Sequence, residues 1–74
     1  MQGTPPYVRL ANDIAVQFTH LPMEEAAAEV AKHIRRFWEP RMRTQLLAHV
    51  VAGGHGLHPI ATAAAQILQK QTVH

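Results

Sequence analysis

Five cations, Lys32, Arg35, Arg36, Arg41 and Arg43, fall within twelve residues whose only acid is Glu39, and Phe37 and Trp38 sit among them. Guanidinium groups around aromatic rings can stack, pair with carboxylates and bury area together, the composition of a protein-interface hot spot. Adjacent helical residues point about 100° apart, so one ring can pack inward while the other faces out. We expect Trp38, Arg41 and Arg43 to face outward. A solvated cationic face with the rings in the core explains the same residues without a partner. A phosphate backbone is another target for such a cluster. The segment from Pro40 to Ala52, however, is polar only at Arg41, Arg43, Thr44 and Gln45 before it turns to Leu46, Leu47, Ala48, Val50 and Val51. That is too apolar to lie along a groove, and a net charge of +2 gives little counterion-driven affinity. A small basic helical regulator of nucleic acid stays as the alternative.

Six histidines raise the question of a metal. His55 and His58 share a Gly-rich loop, while His20, His33, His49 and His74 are dispersed. Zinc needs three or four converging ligands, so His55-Gly56-Leu57-His58 alone reads as a solvated loop ahead of a helix. No metal ligand set is expected, and no catalytic one. The chain has no Ser–His–acid set in recognisable context, no phosphate-binding glycine motif and no paired-carboxylate cleft. Glu24, Glu25 and Glu29 read as helix-surface charges, Glu29 within reach of Lys32. A basic amphipathic helix on a membrane is disfavoured as well, because the cations bunch at an elbow instead of lining one long face.

The elements that carry these residues are helices. Thr4-Pro5-Pro6 is suited to a helix start, with Thr4 as cap and Pro5 at the first position. Tyr7, Leu10, Ala11, Ile14, Ala15 and Phe18 then repeat at three- and four-residue steps, which predicts a helix over 7–19. After Pro22, Glu24 and Glu25 favour a first turn, and Met23, Ala27, Val30, Ala31, Ile34 and Phe37 or Trp38 predict a helix over 22–38. Pro40 disfavours helical geometry at Glu39 and can open a third helix over 40–52, stopped by Gly53-Gly54 in a left-handed cap. Ile60, Ala64, Ile67 and Leu68 mark a fourth over 59–70, with 71–74 as a frayed tail. The expected fold is all-α, one domain over 1–74, a small bundle of three to four short helices joined by Pro- and Gly-containing turns.

A chain of 74 residues allows a single small domain, and much of its 47% apolar content is alanine, which offers little area per residue. Such a core is thin, and a partner surface would add to its stability. The sequence has no cysteine, so disulfides and thiolate sites are excluded. No apolar run is long enough for a bilayer, and Met1-Gln2-Gly3-Thr4-Pro5-Pro6 lacks the pattern of a secretion signal, which makes the cytoplasm the expected compartment.

The stretch Ile34-Arg35-Arg36-Phe37-Trp38-Glu39-Pro40-Arg41-Met42-Arg43, followed by Gln45-Leu46-Leu47-Ala48-His49 and Gly53-Gly54-His55-Gly56-Leu57-His58-Pro59, closely resembles the delta subunit of NAD-dependent formate dehydrogenase. Val8-Arg9-Leu10-Ala11-Asn12-Asp13-Ile14-Ala15 is similar to the opening helix of that family. The resemblance spans roughly residues 7 to 68, and Phe37 to Arg43 is its most specific part. His58 departs from it, since a capping Asp or Ser is expected before Pro59, and that predicts a weak start to the last helix. The resemblance implies a non-catalytic accessory subunit or maturation factor of a cytoplasmic molybdenum- or tungsten-containing enzyme. Its partner would be the large catalytic alpha subunit. Bis-molybdopterin guanine dinucleotide, iron–sulfur clusters, FMN and NAD would be held by the other subunits, and no cofactor by this chain. Arg35, Arg36, Phe37, Trp38, Pro40, Arg41, Met42 and Arg43 are the expected partner-binding residues. Whether the elbow arginines meet protein or a nucleotide cofactor, and whether the isolated chain forms a homo-oligomer, stays open at this point.

Overall fold

The computed structural model describes residues 3–72 and contains four helices: α1 (Pro6–Val16), α2 (Met23–Phe37), α3 (Pro40–Val51) and α4 (Pro59–Thr72). The described residues include no strand. Prolines set three of the starts. Pro6, Pro40 and Pro59 are the first residues of α1, α3 and α4, where a missing N–H leaves no intrahelical bond unmade. Pro40 also acts on its predecessor, because Glu39 is held extended at φ −64° and ψ 150°.

α2 falls one residue short of the expected 22–38 at each end and α3 one residue short of 52; the larger departures lie in α1 and α4. Thr4 does not cap α1: Pro5 is the N-cap residue, without a side-chain bond, and its carbonyl accepts from the N–H groups of Val8 and Arg9 at 3.0 and 3.1 Å. The same helix stops at Val16 instead of Thr19. The N–H groups of Gln17 and Phe18 bond to carbonyls three residues back, at 3.0 Å each, and this tightened turn ends the α-helical ladder. Thr19 Oγ1 donates to the carbonyl of Val16 at 3.1 Å and satisfies one of the freed acceptors. At the other end of the chain, α4 runs through Gln71 and Thr72, which were expected to fray. The remainder of that tail, 73–74, lies outside the described residues.

The core is built chiefly between α2 and α4, the pair with the most extensive contact. Ala26, Ala27, Val30, Ala31 and Ile34 are buried on α2, and Ile60, Ala61, Ala64, Ala65 and Leu68 on α4. Small side chains fill both faces, with Ile34 the largest one fully sealed on α2. From α1 come Val8, Ala11, Ile14 and Ala15; the expected stripe is rotated there, since Val8 is inside and Leu10 is 42% exposed. α3 is the lightest contributor. Of its expected apolar positions only Leu46 is buried, Leu47 and Val50 pack at the edge, and Val51 is 72% exposed.

The Gly-rich loop after α3 closes as the sequence suggests. Gly53 donates to the carbonyl of Val50 at 3.0 Å and Gly54 to that of His49 at 2.9 Å, the paired bonds of a Schellman cap. Gly53 and Gly54 have φ of 123° and 64°, which side chains with a Cβ rarely adopt.

Candidate protein interface

α2 brings Arg35 and Arg36 to its last turn, where the helix dipole favours cations. Phe37 is its final residue, and the N–H of Trp38 still donates to the carbonyl of Ile34 at 2.9 Å before the backbone turns extended at φ −89°, ψ 143°. Pro40 then restarts the chain as α3, whose first turn carries Arg41, Met42 and Arg43.

The two rings divide the work in the opposite sense to that expected. Trp38 is half-buried and packs against the core, while Phe37 is 67% exposed. The reason lies in the register of α2. Val30, Ile34 and Trp38 follow one another at four-residue steps, so Trp38 extends the inward stripe and Phe37 falls outside it. Arg43 is likewise not free to point outward. It is half-buried, and its guanidinium donates to the carbonyl of Arg35 at 3.2 Å, satisfying an acceptor in the last turn of α2. Met42 is half-buried too. Arg35, Arg36, Phe37, Pro40 and Arg41 are the expected interface residues that stand exposed.

Two hollows flank the end of α2. One, about 130 Å³, is lined by Phe18, Glu29, Lys32, His33, Arg36 and Phe37. Within it the Arg36 guanidinium carbon lies 5.7 Å from the centroid of the Phe37 ring, and the His33 ring is 4.8 Å away at a tilt of 43°. Cation and imidazole hold the phenyl group in an outward pose without covering it. Lys32 Nζ is 3.6 Å from Glu29 Oε1, an exposed pair of small energetic weight. The other hollow, about 200 Å³, lies between Arg35, Pro40, Arg43, Thr44, Leu47, Leu68 and Gln71. Arg35 donates there to Gln71 Oε1.

The glycine loop before α4 spends most of its N–H groups on the fold, whereas Gly-rich turns before a helix often turn them to an anion. The N–H groups of Gly53, Gly54, Leu57, His58 and Ile60 are bonded within the fold. Asn12 on α1 donates through Nδ2 to the carbonyl of Gly56 at 3.0 Å and accepts through Oδ1 from the N–H of His58 at 2.8 Å. Pro59 has no N–H, and the N–H of Ile60 donates to His58 Nδ1 at 3.1 Å. The imidazole therefore does the capping that an Asp or Ser was expected to do, and the predicted weakness at this helix start is corrected. From the other side His49 Nε2 lies 2.7 Å from the carbonyl of His55 and donates to it, its ring edge-on to Tyr7. Among the described residues no three His, Asp or Glu side chains converge as a metal would require.

Asn12 is the residue whose role the sequence hides. A polar side chain among the apolar positions of α1 was the available signal, but its two partners lie 44 and 46 residues away.

The chain is a small all-α domain with an exposed ring, surrounding cations and shallow hollows at the elbow between α2 and α3. Over residues 7–65 of its 74, the sequence matches the family model of the NADH-dependent formate dehydrogenase delta subunit, FdsD, and the chain belongs to that family. Its family is thus one of formate dehydrogenase subunits, which implies a complex with other subunits. Neither the curated proteins nor the solved structures give a significant match.

Proposed function

We propose that this chain is a non-catalytic, cytoplasmic accessory subunit of a molybdenum- or tungsten-containing, NAD-dependent formate dehydrogenase, and that it docks on the large catalytic alpha subunit through the elbow between α2 and α3. The observation that carries this reading is Phe37, 67% exposed at the end of a well-packed helix with Arg36 beside its ring. An aromatic anchor rimmed by guanidinium groups is what a protein surface can bury with gain. Arg41 extends the rim, and Trp38 and Arg43 hold the elbow rigid from behind. Docking stabilises whichever state of the large subunit it engages, so the chain supports assembly and cofactor loading by binding alone.

Bis-molybdopterin guanine dinucleotide, iron–sulfur clusters, FMN and NAD belong to the other subunits in this reading. This chain's residues do not fit them. Clusters are held by thiolates, and the sequence has none. At the start of α4 the N–H groups of His58 and Ile60 are already bonded to Asn12 and His58, so they are not free to hold a phosphate. No helix of the described residues is long and apolar enough to cross a membrane.

Purification of the tagged chain from its own cells, with mass spectrometry of what accompanies it, tests the reading. The large subunit is expected in stoichiometric amount. Its absence, or retention of the chain on DNA at near-physiological salt, would overturn docking in favour of nucleic acid.

A further inference from the structure

The larger hollow at the elbow differs from the Phe37 side in its chemistry. Arg35 and Arg43 stand at its mouth and Leu47 and Leu68 supply its apolar lining, Leu68 with only 3% of its surface exposed. Both guanidinium groups are held by neutral acceptors, Arg43 by the carbonyl of Arg35 and Arg35 by Gln71 Oε1. Each bond occupies one terminal nitrogen of a fork that carries five N–H donors. Among the described residues no carboxylate lies within ion-pair range of either, the recorded pair in this region being Lys32 with Glu29 on the other flank. Two positive charges therefore stand beside an apolar recess without a carboxylate partner among the described residues.

We infer that this hollow receives an acidic side chain of the partner protein together with an adjacent apolar one, the carboxylate on Arg35 and Arg43 and the apolar group between Leu47 and Leu68. The inference rests on the docking reading and names the chemistry of the segment that docks. Charge complementarity selects the carboxylate, and a planar guanidinium fork is matched to it in two-pronged geometry. Size selects a protein side chain over a free cofactor. At about 200 Å³ the hollow falls below the roughly 300–1,000 Å³ of sites that enclose drug-sized ligands, so a dinucleotide does not fit inside. A phosphodiester could pair with the arginines but has no apolar group to seat between Leu47 and Leu68. The Phe37 hollow lies on another side of α2, since residues two apart on a helix point about 200° from each other.

The test is an NMR titration of the full chain with two blocked dipeptides, acetyl-Leu-Glu-amide and the neutral acetyl-Leu-Gln-amide. Acetyl-Leu-Glu-amide is expected to shift the guanidinium signals of Arg35 and Arg43 and the methyl signals of Leu47 and Leu68, with at least tenfold weaker response to the neutral peptide. The Arg35→Gln chain, with its spectrum still dispersed, should lose the response while its Phe37 surface is unaltered. Equal shifts from both peptides, shifts located elsewhere, or none would overturn the inference. Capture of the large subunit, measured alongside, keeps the two readings apart. A silent titration with capture intact removes the acidic-segment assignment alone, whereas a positive titration without capture removes docking on that subunit.

Discussion

Asn12 shows how one side chain can decide where a loop sits. Its amide bridges Gly56 and His58 across the start of α4, and the N–H it accepts from is partly buried. Replacement by alanine removes both bonds and strands that donor, for a cost of about 2 kcal/mol. His58→Ala, which removes the cap on Ile60, should cost about 1 kcal/mol, whereas His58→Asp should leave stability unchanged or slightly higher, since Asp is a favoured cap at a helix N-terminus. Urea unfolding of the three variants checks this, and a change below about 0.5 kcal/mol for Asn12→Ala would remove its bridging role. The sequence showed only a polar residue on α1 and not its partners, because hydrogen bonds across more than forty positions leave no local pattern. The exchange of roles between Phe37 and Trp38 was closer to reach. Periodicity allowed either ring at the end of the stripe, and the four-residue step from Ile34 decides for Trp38.

The helices themselves were legible where proline, glycine and a continuous stripe agreed. Pro40 and Gly53-Gly54 bracket α3 to within one residue of the expected 40–52. The start of α1 was misplaced by one residue and its end by three, because a tightened turn competes with the ladder and periodicity cannot see it. The expected burial of α3 also failed in part. A helix with apolar residues at Leu46, Leu47, Val50 and Val51 suggests a deep stripe, yet Leu46 alone is buried. With Leu46 as its one buried residue, α3 seals little area against the core. Amide hydrogen exchange is therefore predicted to be faster along α3 than along the sealed stretch Ala26–Ile34 of α2. Leu46→Ala should cost about 2–5 kcal/mol and widen that difference. Protection of α3 equal to that of α2 would contradict this ordering.

Taken as one body, the domain commits most of its small apolar content to an alanine-rich α2–α4 seam and leaves its ring-and-arginine elbow uncovered. The all-α fold was readable from proline punctuation and helical spacing, and the stretch from Phe37 to Arg43 carried the family resemblance. What could not be read was the division within that stretch. Trp38 and Arg43 build the elbow, while Arg36, Phe37 and Arg41 present it, a split set by where α2 stops. The most direct measurement is the affinity of the purified chain for the large catalytic subunit, compared between the parent sequence and Phe37→Ala. Loss of a central aromatic anchor of about 2 kcal/mol corresponds to a roughly thirtyfold weaker Kd, with the fold and melting behaviour of the isolated chain unchanged. An unaltered Kd for the folded variant would contradict the account.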